Sequence, residues 1–223
     1  MRSADTESPA SARAGQGRAH GAGIRAGTRV LGIDPGSRAT GYGVVERPAT
    51  GAGAPGDRSG ASSLRHVAHG TLRPPEGLGL AERLAFLHAG IAEVIERHAP
   101  AQVVVEQVFV SASARSALVL GQARGAVLAA AAGAGLDVHE LSAREIKKSV
   151  VGTGGAAKSQ VQAMVSRLLG LDRKPAQDAA DALAAAICRA HASASVADGL
   201  GLRGGRGRRR GRAGGRFVVR RSP

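Results

Sequence analysis

The sequence has little sulfur, few aromatic rings and no long apolar run. One cysteine, Cys188, stands among 223 residues, which excludes an internal disulfide framework and any metal cage built from cysteine alone. Tryptophan is absent, and Tyr42, Phe86, Phe109 and Phe217 complete the aromatic set. Four rings are too few for a platform that stacks successive bases, and the lack of Trp argues against a membrane-interface belt. No apolar run approaches the roughly 20 residues needed to cross a bilayer. The N-terminal segment has no apolar core of a secretory signal, so the cytoplasm is the expected location and no membrane partner is predicted.

What the chain has in excess is positive charge, +14 in all, and that predicts a polyanionic partner such as nucleic acid. The charge is unevenly spread. Residues 1–29 carry five Arg against Asp5 and Glu7; residues 200–223 carry nine Arg and no acid. Between them the chain is almost neutral. Both terminal stretches are rich in Gly, Ala and Arg without periodic apolar residues, so 1–28 and 193–223 read as disordered basic extensions around a domain at 29–192.

Within that domain the apolar periodicity predicts strands at 29–34, 40–46, 64–72, 101–107 and 136–141. Helices are expected at 79–98, 113–134, 157–170 and 176–192, and a Gly/Pro/Ser-rich loop at 47–63. Three consecutive strands followed by alternating helix and strand imply an α/β fold, a mixed five-stranded sheet flanked by helices. Gly41 and Gly43 are expected to pack close against a neighbouring element.

Four carboxylates interrupt apolar context. Asp34 ends the first strand, Glu106 follows Val103-Val104-Val105, and Asp178 and Asp181 lie near the start of the last helix. Singly, each has an ordinary structural explanation in a turn, a strand end or a helix dipole. Together they are harder to dismiss. Asp178 and Asp181, spaced i and i+3, lie about 60° apart on one helix face. Clustered carboxylates repel one another unless cations neutralise them, and an all-oxygen donor set favours Mg²⁺ or Mn²⁺ over zinc. Two such ions about 4 Å apart suit phosphoryl transfer, which joins the acidic cluster and the basic charge on one substrate class, a nucleic-acid backbone.

The segments LGIDPGSRATGYGVVE (31–46), VVVEQVF (103–109), SALVLGQARG (116–125), AREIKKSVVGTGGAAKSQVQAMV (143–165) and DAADALAAAI (178–187) resemble, in this order, the bacterial RuvC Holliday-junction resolvases. The resemblance implies an RNase H-like fold and a homodimer that makes paired, symmetric, metal-dependent nicks in a four-way DNA junction. It implies Asp34, Glu106, Asp178 and Asp181 as catalytic and metal-holding residues, with two Mg²⁺ per site and Mn²⁺ as a substitute. It further implies DNA contacts from Phe109, Lys147, Lys158 and Arg124, and the branch-migration proteins RuvA and RuvB as partners. After EQVF the chain reads Val110-Ser111-Ala112-Ser113 where the family usually has an Asn, often after a basic residue. Fewer polar and cationic contacts are therefore expected near the junction centre.

Other readings have less to stand on. GTGGAAKS (152–159) approaches a P-loop, but Ala157 occupies the position where glycine must let phosphate approach. A YqgF-type RNA-processing nuclease shares the first strand, yet the EQVF, LGQARG and DAADAL blocks favour RuvC. A non-enzymatic nucleic-acid binder leaves the four carboxylates without a task, since acids near phosphate oppose binding unless metal intervenes. His66, His69, His88, His98, His139 and His191 show no metal-ligand spacing, and Cys188 is expected to be a packed hydrophobe.

Overall fold

The computed structural model describes residues 27–36, 38–48, 64–107 and 113–201. Phe109, most of the 47–63 loop and the extensions beyond 27–201 lie outside the described residues. Strands β1 (Thr28–Asp34), β2 (Thr40–Arg47) and β3 (Arg65–Leu72) form an antiparallel meander. Strands β4 (Gln102–Gln107) and β5 (Asp137–Ser142) add in parallel to the other edge of β1, giving the order β3-β2-β1-β4-β5. This is the mixed sheet that the strand pattern predicts.

Alternation along β1 and β4 divides the core in two. Leu31, Ile33, Val103 and Val105 face helices α1 (Leu80–His98) and α2 (Ala114–Gly133), where Ile91, Val94 and Val127 meet them. Val30 and Val104 face the opposite side, packed with α3 (Ala143–Val151), α4 (Lys158–Leu169) and α5 (Gln177–Gly201) through Ile146, Val161, Leu183 and Ile187. Helix α5 lies against β1, β2 and β4. Cys188 is buried in this second layer, a packed apolar group as expected.

Three features depart from the sequence reading. Helix α3 was not anticipated; Ser142 and Glu145 form a reciprocal capping box at its start, and Ile146 and Val150 anchor it four residues apart. Helix α5 does not stop at 192 but continues to Gly201, because Ala-rich sequence after His191 contains no breaker before Gly199. Helix α2 tempers the expectation that no apolar stretch nears bilayer length: it is 20 residues long and an 18-residue stretch of it has a mean hydropathy of 1.2, with 22% of that stretch buried. Arg115 and Arg124 lie within the helix, and α2 packs on α1, so it is an element of this globular layer that leaves Leu118 exposed.

Candidate active site

The first two carboxylates are brought together by strand register. Ile33 pairs with Val105, so Asp34 and Glu106 stand one step further on, at the C-terminal ends of adjacent parallel strands. Neighbouring strands are about 4.8 Å apart, which leaves the two side chains as close neighbours on the α5 face. The loops after parallel strands are where α/β sheets characteristically place ligands.

The other two arrive on α5, and glycines decide how near. A Cβ added at Gly32 would stand 2.0 Å from the Ala182 carbonyl oxygen, and one at Gly41 would stand 2.0 Å from that of Asp178. A Cβ at Gly43 would meet Leu183 at 2.6 Å. The helix backbone therefore rests almost directly on β1 and β2, at a separation no larger residue permits. Short aspartate side chains can then reach the strand ends. Gly41 and Gly43 were expected to pack closely; Gly32 completes the set.

A cavity of about 140 Å³ is lined by Asp34, Glu106, Asp181, Lys147 and Lys158. Asp34 is pushed up to about 8, first by burial and then by the charges of Glu106, Asp181 and Asp178, with Lys158 opposing. Glu106 is raised as well, by burial and by Asp181, against Lys158 and Lys147. Asp181 is oriented by Gln177, whose Nε2 donates to both carboxylate oxygens at 3.2 Å, and Lys158 Nζ lies 3.6 Å from its Oδ2. Asp178 stands at the margin, with Arg73 Nη2 3.7 Å from its Oδ2.

Three of the four predicted carboxylates thus share one cavity, with both predicted lysines in its wall. Arg124 does not join them. It pairs with Glu140 at 2.7 Å, and Glu140 stands beside Val105 on the face of the sheet turned toward α2. Gln177 and Arg73 were missed from the sequence; Gln177 was discernible, being four residues before Asp181 on one helix face. The near-P-loop segment is a turn between α3 and α4. Its Gly152 ends α3 at φ +88°, and Ala157 N–H is already engaged by Gln160 Oε1 at 2.8 Å.

The donor set fits a hard divalent cation. All its donors are oxygen, and the burial and neighbouring carboxylate charges that raise Asp34 are both offset by a nearby positive charge. Among the described residues the carboxylates are not closed onto one point at ligating spacing. Gln177 and Lys158 hold Asp181 instead.

The profile of the family described as crossover junction endodeoxyribonuclease RuvC matches residues 30–189. The chain belongs to the RuvC family. RuvC of Acinetobacter baylyi is 50% identical over 167 residues, covering 75% of this chain and 85% of its own. RuvC of Marinobacter nauticus is 50% identical over the same length and is covered to 88%. Among solved structures, Thermus thermophilus RuvC superposes with a TM-score of 0.64 at 34% identity, over 77% of this chain and 97% of its own. The same protein solved in complex with Holliday junction substrate matches with the same TM-score, over 96% of its chain. The yeast mitochondrial resolvase Ydc2, 13% identical with a TM-score of 0.51 over 79% of this chain and 86% of its own, shares the fold. RuvC membership makes the chain a Holliday junction resolvase, a DNA-binding endodeoxyribonuclease of recombination. The RNA-processing and non-enzymatic readings fall away with it.

Proposed function

We propose that the chain acts as a cytoplasmic homodimer that resolves four-way junctions by paired, symmetric nicks, one from each protomer. The observation that carries this reading is the cavity in which Asp34, Glu106 and Asp181 meet Lys147 and Lys158. Asp34, Glu106, Asp181 and, from the margin, Asp178 are the residues that would hold Mg²⁺, two ions per site, with Mn²⁺ able to substitute. Bound there, the cations supply Lewis-acid stabilisation of the charge that develops on the reacting phosphate.

The chain's own groups do the rest. Gln177 and Lys158 fix the orientation of Asp181. The ammonium groups of Lys147 and Lys158 offset the phosphate charge and draw the backbone toward the acids. In-line attack of water at phosphorus breaks the bond to the 3′ oxygen, leaving 5′-phosphate and 3′-hydroxyl ends. Phe109, just past β4, is in a sequence position to reach the junction centre.

Helix α2 supports the dimer. Leu118 is 64% exposed on α2, where Ala114 and Ala129 on the same face are exposed too. Such a face calls for a partner, and a two-fold dimer matches the symmetry of a four-way junction. RuvA and RuvB are the partners expected to deliver junctions to it.

The test is incubation of the full chain with a synthetic four-way junction and a linear duplex, with and without Mg²⁺. Paired nicks are expected in the junction with Mg²⁺ alone. Asp34→Asn, Glu106→Gln and Asp181→Asn should each abolish nicking while sparing junction binding. Cleavage that survives all three single changes would overturn the assignment.

A further inference from the structure

A second concavity adjoins the carboxylates, and its wall is basic. It has a volume of about 640 Å³ and takes Arg38 from the β1–β2 turn, Arg73 from the residue after β3 and Arg83 from the first turn of α1. Glu76 is the acid in the same wall. The contact of Arg73 with Asp178 at 3.7 Å joins this concavity to the active site. That pair is loose, with the two side chains 65% and 36% exposed, and a guanidinium has five N–H donors to distribute.

The rim is built to hold its shape. Pro74 and Pro75 fix two successive φ angles directly after Arg73, and Gly77 turns the chain at φ +84° before α1 begins. The lining contains no aromatic ring, so base stacking is not what it offers. Three guanidinium groups outnumber the acids beside them, Glu76 in the wall and Asp178 next to Arg73, and suit phosphate, which arginine engages through two parallel N–H donors. Lys147 and Lys158 flank the carboxylates from α3 and α4, whereas Arg73 flanks them at Asp178 and ties in the concavity that Arg38 and Arg83 line. Cationic groups therefore stand on both sides of the acidic cluster.

We infer that Arg38, Arg73 and Arg83 form a phosphate subsite that grips the backbone of the strand being cut, close beside the scissile phosphate. The inference rests on the nuclease reading above and adds a residue set to it. Arg38 is exposed, which makes Arg38→Ala the cleanest probe; Arg83→Lys keeps charge but removes the guanidinium fork.

The experiment uses four-way junctions in which single phosphates near the nick are replaced by neutral methylphosphonates. Wild-type chain should lose nicking rate about tenfold at one flanking position, and Arg38→Ala and Arg83→Lys should be indifferent to that same position. In Ca²⁺, Arg38→Ala should bind the intact junction about 3- to 10-fold more weakly, with a salt slope reduced by about one. If the wild type nicks junctions but both variants keep its methylphosphonate pattern and its affinity, this inference is overturned and the nuclease reading stands. If the wild type nicks no junction with Mg²⁺, the nuclease reading itself fails. Binding of inorganic phosphate that is lost in Arg38→Ala, with junction affinity and pattern unchanged, would assign the arginines to a free anion and also overturn the inference.

Discussion

The carbonyl oxygen of Ala182 occupies the place where a side chain at Gly32 would begin, 2.0 Å from its Cβ position. Gly41 has the same relationship to Asp178. Substitution at either glycine must push α5 off the sheet. Gly32→Ala is expected to cost about 1–3 kcal/mol of stability, the usual range for overpacking, and to depress nicking. Gly41→Ala acts at the carboxylate end, so its loss of nicking rate should exceed what its change in Tm accounts for. Thermal melts paired with junction-nicking rates separate the two effects; a Gly41→Ala enzyme with wild-type rate would refute the role given to this contact.

Asp34 ties stability to pH in an unusual direction. Its folded-state value of about 8 lies above the ordinary 3.8, so the native state binds more protons than the unfolded chain between those limits. Stability then falls as pH rises through that window, and the loss is complete only above the folded value. In metal-free protein, Tm should drop by several degrees between pH 5 and pH 9, since 1 kcal/mol moves Tm by about 2–4 °C in a domain of this size. Asp34→Asn should flatten this dependence and raise Tm at pH 9, even as it abolishes nicking. A Tm for metal-free wild type that climbs with pH would contradict the repulsion described.

Arg189 offers a control remote from the chemistry. Its Nε donates to Gln102 Oε1 at 3.0 Å, and its Nη2 lies 3.0 Å from His139 Nε2, tying α5 to β4 and β5. Gln102 is four residues before Glu106 on the same strand, roughly 13 Å away at the usual rise. Arg189→Ala should cost about 2–3 kcal/mol, as lost hydrogen bonds to a charged, half-buried group do. The nicking rate of the folded protein should be unchanged at a temperature well below its Tm.

The nine arginines after residue 202 should act without regard to DNA shape. Ending the chain at Gly201 keeps α5 whole and removes them all. Binding to junction, duplex and single strand should weaken together, with a flatter dependence on salt. Loss of junction preference in the shortened chain would show that the extension reads structure.

Much of this architecture was legible because apolar alternation is a local signal. Val103-Val104-Val105 announces a buried strand, and the acid after it has few other reasons to be there. The grouping of Asp34 with Asp178 and Asp181 was reachable from helix spacing and the turn after β1. The partners that orient them were not. Arg73 follows a polar strand and precedes two prolines, and nothing local tells that it turns toward Asp178. Arg124 sits in a well-marked motif block, yet which side of the sheet α2 covers is settled by topology, and that side holds Glu140. The start of α3 was written in Ser142 and Glu145, a capping box whose short helix lacks enough turns to show a period.

Helix α5 supplies two of the four acids and is the last element of the domain, while the strands it must rest upon are the first. The cutting site therefore cannot exist on a chain made only as far as α4. Synthesis delivers residues in order, at about 5–20 per second, and more than 140 of them separate Asp34 from Asp181. A chain of between 73 and 180 residues has its first three strands and no Asp181. A nuclease assembled this way is harmless to the DNA around it until nearly the whole domain has been made and closed.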